Sequence, residues 1–179
     1  MANKYAVVRT DALQGTDARH SIVSVKYQPL VSNVATDTAI ENGNFVKLGA
    51  LIDGEREIRT SVTPAASDGL HEVALIATPE VMYDERIRNL DEFRNEAGKI
   101  ARGYILHSGD MFGVTAEALA FATDEETDGV VGSVVELQAG TKLKVVKAAT
   151  GATSGSTVIG SIWAIETVGR YTYYVIKVD

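Results

Sequence analysis

The sequence contains no cysteine and has only three prolines and three histidines among its 179 residues. Without cysteine, the chain can form neither a disulfide framework nor a thiolate zinc site, and it has no cysteine nucleophile. The histidines, His20, His71 and His107, are far apart in sequence, and none has a second ligand-type residue at a metal-binding interval. We therefore expect no metal site and interpret the imidazoles as surface or interface groups.

Long apolar runs are also missing. No stretch approaches the ~20 apolar residues that a membrane-spanning helix needs. The short patch Ala6-Val7-Val8 ends at Arg9 and is far shorter than the apolar region of a signal peptide. We therefore expect a protein that is soluble when it is made.

Positive charge is scarce: the sequence has 17 Lys and Arg residues against 24 Asp and Glu residues, which gives a formal net charge of −7. A chain of this sign is a poor candidate for nucleic acid, whose phosphates must be neutralised by Lys and Arg. It is equally poorly suited to anionic membrane surfaces. The sequence thus predicts neither a nucleic-acid nor a membrane partner, and the charge favours solubility at high copy number.

No motif of catalysis or cofactor binding is present. His107, Ser108 and Asp110 lie in one turn, where neighbouring residues cannot easily form the relayed hydrogen bonds of a triad. The acidic run Asp124–Gly129 lacks the glutamate that a calcium-binding EF-hand requires at its twelfth position. The Gly-rich run Gly151–Thr157 has no lysine and no following helix, so it is no phosphate cradle. We predict no catalytic, cofactor-binding or metal-binding residues, and hence no enzyme.

What the chain does contain is short segments of β-branched and aromatic residues separated by glycine-containing turns. Segments predicted as strands include Ile58–Val62, Val158–Val168 and Tyr171–Val178, the last two joined at Gly169-Arg170. Asn42-Gly43 favours a type I′ turn. The best helix candidate runs from Pro79 to about Asn89, because proline is tolerated in the first turn of a helix. The pattern predicts a mainly β fold, an antiparallel β-sandwich or barrel with one short helix and an extended N-terminal arm.

The predicted domain organisation separates an arm from a body. Residues 1–30 contain two strand candidates, Lys4–Arg9 and Ser21–Tyr27, on either side of a polar, glycine-containing stretch. We interpret them as an extended N-terminal arm. Residues 31–179 form the β-rich domain, with a possible subdivision near residues 125–130, where the acidic turn interrupts the strand pattern.

Residues 90–115 carry a more specific pattern. They contain Asp-x-Phe-x-Asn-x-Ala-Gly-Lys-x-Ala-Arg-Gly-Tyr-x-Leu-x-x-Gly-Asp-x-Phe-x-Val-Thr, beginning at Asp91. Within this segment, residues 98–115 are predicted to form a strand, a tight turn and a second strand. This segment resembles small structural proteins of tailed bacteriophage head gene modules, described as capsid decoration, cement or head-fibre proteins. A weaker likeness extends through Val130–Gly140 and Ile159–Val168. Such motifs report a fold more than an activity.

The resemblance implies a non-enzymatic virion protein that binds the outer surface of a capsid and stabilises it. The chain would be made in the host cytoplasm, its partner would be the lattice of major capsid protein, and it would be a homo-oligomer, with a trimer suited to a three-fold site. An extended arm can add a strand to a neighbouring protein. We therefore place the capsid contact in the arm. The predicted contact residues are Tyr5, Val7, Arg9, Arg19, His20 and Val23.

Two alternatives remain open from the sequence. One is a glycan- or receptor-binding β-module, for which Trp163, Tyr171 and Tyr173 would supply the aromatic contacts. The other is a different virion part, a head–tail connector or tail component, which copy number would distinguish from a shell protein.

Overall fold

The computed structural model describes residues 3–10, 13, 22–82 and 89–179, and these form a mainly β protein. The strands are β1 (Ile22–Tyr27), β2 (Leu30–Val31), β3 (Val34–Ala35), β4 (Phe45–Leu51), β5 (Ile58–Val62), β6 (Val73–Ile76), β7 (Ile100–Tyr104), β8 (Met111–Val114), β9 (Leu119–Phe121), β10 (Val134–Glu136), β11 (Leu143–Val146), β12 (Val158–Val168) and β13 (Tyr171–Val178). Within the described ranges, the α-helix is α1 (Glu125–Asp128), and single 3-10 turns cover Leu70–Glu72, Leu90–Glu92 and Ala116–Ala118. The predicted mainly β fold class with one short helix is confirmed.

Five strands close into a barrel in the order β1, β5, β4, β6, β7. β1 runs parallel to β5 and antiparallel to β7, and the pairing with β7 completes the circle. Because side chains alternate along a strand, Val23, Val25 and Tyr27 of β1 all point into the barrel. Further interior side chains come from the other strands and loops: Ile40, Val46, Leu48, Ala74, Ile76, Ala101 and Ile105.

The second half of the chain forms a six-stranded sheet in the order β8, β13, β12, β10, β11, β9. Its centre is the long hairpin of β12 and β13, which turns at Gly169 and Arg170. Gly169 has a φ of 62°, as the first central residue of a type II′ turn requires. A bulge in β12 between Ile162 and Ala164 shifts its register against β13.

A shared apolar core joins the barrel to the sheet. Phe45 and Leu75 come from the barrel, whereas Phe112 and Ile176 come from the sheet, and all four are essentially inaccessible to solvent. The rings of Phe45 and Phe112 pack with their centroids 5.9 Å apart. The chain passes from barrel to sheet between β7 and β8, at residues 105–110. The architectural change therefore falls there and not near residues 125–130.

The described part of the predicted arm is folded into the protein's own body. The segment Tyr5–Arg9 lies along β8, where Val8 forms an antiparallel bridge to Val114. The Arg9 N–H donates to the Gly113 carbonyl at 2.8 Å, and the Thr115 N–H donates to the Val7 carbonyl at 2.9 Å. β1 is a barrel strand, so the prediction of a separate arm over residues 1–30 is corrected. Residues 14–21 lie outside the described ranges.

The helix predicted from Pro79 to about Asn89 is not present in its described part. Residues 79–82 are irregular, and residues 83–88 lie outside the described ranges. The short helix α1 instead falls in the acidic run that was predicted as a turn. The Asp124 carboxylate caps it by accepting the Thr127 N–H at 2.7 Å. No helix in the described ranges is long and apolar enough to cross a bilayer.

Candidate functional site

Two of the predicted contact residues in the N-terminal segment contact the β12–β13 hairpin of the same chain. Val7 is only 1% exposed and packs in a small cluster with Tyr171 and Tyr173. The Arg9 guanidinium lies 2.9 Å from the Glu166 carboxylate and over the ring of Tyr173. Because these contacts lie within one chain, Val7 and Arg9 hold the segment to its own hairpin.

The remaining predicted contact residues are scattered. Tyr5 is half-buried, with the Lys4 ammonium 5.4 Å and the Arg94 guanidinium 5.3 Å from its ring centroid. Val23 is half-buried inside one end of the barrel. Arg19 and His20 lie outside the described residues. The structure therefore does not assemble the described members of this set into one exposed patch.

Carboxylates fix the N-terminal segment in place. Asp91 accepts the Lys4 N–H at 3.1 Å and the Tyr171 hydroxyl at 2.9 Å, and it also pairs with Arg170. Burial alone would raise the pKa of Asp91, but these hydrogen bonds and the Arg170 charge hold it below its usual value. Glu117 binds both the backbone and the side-chain amide of Asn3, at 3.1 and 2.9 Å. The segment is thus anchored at several points by buried or half-buried acids.

The predicted aromatic contacts are split between the interior and the surface. Tyr171 and Tyr173 are buried, with 9% and 3% of their surface exposed, because the N-terminal segment covers them. Trp163 is 58% exposed, and the Lys177 ammonium lies 5.0 Å from its ring centroid. The three residues therefore do not form the clustered, exposed platform that a glycan-binding module would use.

Part of β12 forms a strand edge that has no partner strand among the described residues. β10 pairs with β12 only between Val158 and Ser161, and no described strand lies beside residues 165–168 on that side. Val168 and Tyr171 flank the two-residue turn and form its closing hydrogen-bonded pair. By the alternation of an antiparallel ladder, the N–H and C=O groups of Ile165 and Thr167 point away from β13.

The side chains along this edge are exposed and largely apolar. Trp163, Ile165 and Val168 are 58%, 42% and 47% exposed. No lysine or proline protects the edge, although natural sheets commonly use such residues to prevent strand addition. We call residues 163–168 the β12 edge.

A second exposed apolar feature projects from the barrel. β2 and β3 form a two-stranded hairpin whose turn residues, Ser32 and Asn33, have φ values of 51° and 64°. These values are those of a type I′ turn. Leu30, Val31 and Val34 on this hairpin are 67%, 52% and 64% exposed. We call these three side chains the hairpin tip.

Among the described residues, a recess lies at the end of the barrel where β1 begins. A cavity of about 540 Å³ is lined there by the interior side chains Val23, Leu48 and Ile105. Its rim is formed by Ile22, Arg59, His71 and Glu72. We call this cavity the barrel mouth. Nearby, the rings of His71 and His107 lie 6.0 Å apart, but no group of three or more His, Asp or Glu residues suited to a metal occurs in the described ranges.

Several polar residues of the sequence pattern in residues 90–115 are buried and hydrogen-bonded in the structure. Asp91 anchors the N-terminal segment, and the Asn95 amide donates to the Ile40 carbonyl at 3.1 Å. Asp110 is 2% exposed and accepts a backbone N–H of its own turn at 2.9 Å. Asp91 and Asn95 thus connect this segment to distant parts of the fold, whereas Asp110 closes its own turn.

Comparison of the chain with protein-family models, curated proteins and solved structures gives no match. The resemblance of residues 90–115 to phage head proteins remains a prediction.

Sequence reasoning selected Trp163 but missed the other exposed apolar residues of the hairpin tip and the β12 edge. The hairpin tip had a usable signal, because Leu-Val-Ser-Asn-Val places aliphatic residues on both sides of a two-residue turn, too short a ribbon to bury them. The β12 edge had no such signal. Its exposure depends on where the neighbouring strand β10 ends, and the sequence of β12 carries no information about that.

Proposed function

We propose that this chain is a non-enzymatic structural protein that binds a protein lattice, and that the lattice is the outer surface of a phage capsid. The observation that supports the proposal is the β12 edge, whose outward backbone groups have no partner strand in the described ranges and lie beside exposed apolar side chains. The resemblance of residues 90–115 supplies the identity of the lattice.

The proposed contact is strand addition. An extended segment of a lattice subunit would pair with the outward N–H and C=O groups of Ile165 and Thr167, and main-chain hydrogen bonds would supply affinity. Trp163 and Val168 would bury apolar surface against the same segment. In our sequence-based hypothesis, this chain donates a strand to the lattice. In the present proposal it accepts a strand instead, because its own N-terminal segment is already paired with β8.

Repetition strengthens such a contact. A single short strand addition is weak, but a shell presents the same site many times, and an oligomer that bridges several sites gains from effective concentration. The net charge of −7 limits unwanted contact with nucleic acid released from particles.

The first test is quantitative mass spectrometry of purified particles from the source of the sequence. We expect a copy number close to that of the major capsid protein; a dozen copies would indicate a neck or tail part, and absence would reject a virion role.

The contact itself is tested by Thr167→Pro. Proline removes the outward N–H, and it is tolerated where that N–H faces solvent on an edge strand. We expect at least tenfold weaker binding to purified shells, which corresponds to about 1.4 kcal/mol, measured by co-sedimentation. Thr167→Val keeps the N–H and the β propensity and serves as the control. Equal binding by the two variants, both folded by circular dichroism, would reject strand addition at this edge.

A further inference from the structure

The sequence contains dipeptides in which asparagine or aspartate precedes glycine, and these are Asn42-Gly43, Asp53-Gly54, Asp68-Gly69 and Asp128-Gly129. Such a pair can react within itself, because the glycine nitrogen is unhindered and lies close to the side-chain carbonyl carbon of the residue before it. The reaction needs a side chain that is free to rotate towards the nitrogen and a glycine N–H that no acceptor holds. The fold therefore decides which of these dipeptides can react.

Asn42-Gly43 is held at both reacting groups. Asn42 is 1% exposed, and its side-chain amide donates to the Thr78 carbonyl at 2.8 Å. Its side-chain oxygen accepts the Thr78 N–H at 3.1 Å. The Gly43 N–H donates to the Ile76 carbonyl at 2.7 Å. Neither the side chain nor the glycine nitrogen is available in the folded protein.

Asp68-Gly69 and Asp128-Gly129 are held in the same way. The two aspartates are 6% and 2% exposed, and each carboxylate accepts a backbone N–H. Each glycine N–H is also donated, at 2.9 Å in both cases. The acceptors of these two glycine N–H groups are the Glu72 carboxylate and the Glu125 carbonyl.

Asp53-Gly54 has neither restraint. Both residues are exposed and form the centre of the turn between β4 and β5, where the Glu55 N–H donates to the Ile52 carbonyl at 2.9 Å. Gly54 has a φ of 80°, as the second central residue of a type II turn requires, and a Cβ added to it would meet nothing within 4 Å. Among the described residues, the Asp53 carboxylate and the Gly54 N–H have no hydrogen-bond partner.

We propose that Asp53 is a site of spontaneous covalent modification, at which the folded protein converts aspartate into isoaspartate. The Gly54 nitrogen bonds to the Asp53 Cγ and loses its proton, the carboxyl group loses its hydroxyl, and water leaves as a succinimide ring closes. Water then opens the ring. Opening at Cγ restores aspartate, whereas opening at the former main-chain carbonyl gives isoaspartate. The proposal goes beyond the proposed function, because it involves neither the β12 edge nor a partner.

The product would alter the turn. In isoaspartate the main chain runs through Cγ, so the backbone gains one methylene group and the α-carboxylate becomes a free group in solvent. The bond from the Glu55 N–H to the Ile52 carbonyl spans the two central residues of the turn. A longer backbone between these two groups would disturb that bond. The modification thus changes the end of the β4–β5 hairpin.

The experiment compares the dipeptides within one protein. The folded chain is kept at neutral pH in heavy-oxygen water, so that every ring opening adds a heavy oxygen atom. Peptide mass spectrometry with electron-transfer fragmentation then distinguishes isoaspartate from aspartate. We expect at least about tenfold more isoaspartate at Asp53 than at Asp68 or Asp128. The same protein unfolded in guanidinium chloride is the reference, and there the reaction should also appear at the dipeptides that the fold protects.

Asp53→Glu is the matched variant. It keeps an exposed negative charge in the turn, but its longer side chain would have to close a larger ring, which forms more slowly. We expect the modification of this turn to disappear in Asp53→Glu, while thermal melting shows the same fold. Equal isoaspartate at Asp53, Asp68 and Asp128 in the folded protein would overturn the proposal. Isoaspartate that forms at Asp53 only in guanidinium chloride, or unchanged labelling of the turn in Asp53→Glu, would also overturn it.

Discussion

Phe112→Ala is expected to lower the free energy of unfolding by about 3–5 kcal/mol, the range for removing a buried phenylalanine. Phe112 is fully buried and packs against Phe45 across the junction of barrel and sheet. Its loss would leave a cavity that neither layer can fill, because strands paired on both sides cannot move inwards independently. Urea denaturation followed by circular dichroism measures the change.

The neighbouring residue provides the control. Met111 is next to Phe112 in β8, but it points to the opposite face of the sheet and is half-buried. Met111→Ala is therefore expected to cost much less than Phe112→Ala. If both substitutions had the same effect, β8 would not be oriented as described, and the shared core would have to be reassigned.

Asp91→Ala is expected to destabilise the protein by about 2–3 kcal/mol, because it leaves one buried and one partly buried donor without an acceptor. The affected donors are the Lys4 N–H and the Tyr171 hydroxyl. Hydrogen exchange should show increased opening of the N-terminal segment, at Val7 and Arg9, with less change in the barrel. Glu96→Ala is the control, since Glu96 is 60% exposed and its ion pair with Arg94 should contribute less than about 1 kcal/mol.

The contribution of Asp91 should also depend on pH. Its pKa is lower in the folded protein than in the unfolded chain, so the charged form stabilises the fold. This stabilisation is complete above about pH 5 and is lost as the pH falls below about 4, towards the folded-state pKa. The stability difference between the unaltered protein and Asp91→Asn should therefore shrink with acidification. A difference that stays constant down to about pH 2 would contradict the assigned role.

Local patterns in the sequence predict much of the sheet. The predicted strands Ile58–Val62, Val158–Val168 and Tyr171–Val178 coincide with β5, β12 and β13. Alternation and glycine-containing turns are properties of neighbouring residues, so they can be interpreted without knowing the fold. The type I′ turn predicted at Asn42-Gly43 is wrong, because only Gly43 has a positive φ there. Ser32-Asn33 does have two consecutive positive φ values.

The candidate surfaces could not be predicted in the same way. The alternation of Tyr171 and Tyr173 places both on one face of β13, but whether that face meets solvent depends on a segment more than 160 positions earlier in the chain. Lys4–Arg9 has the pattern of a strand, and the sequence does not say whether its partner is another protein or β8. Pairing between distant segments decides which of these side chains are exposed.

The pairing of the N-terminal segment with β8 also means that this segment cannot be buried until β8 has been synthesised. Val7 and Thr115, which share a hydrogen bond, are 108 positions apart. At about 5–20 residues per second, a ribosome needs on the order of 5–20 s to extend the chain from one to the other. During that interval Ala6, Val7 and Val8 have left the exit tunnel without the strand that buries them. Residues 6–8 are thus translated well before the strand that buries them, and they become protected only after that strand has been made.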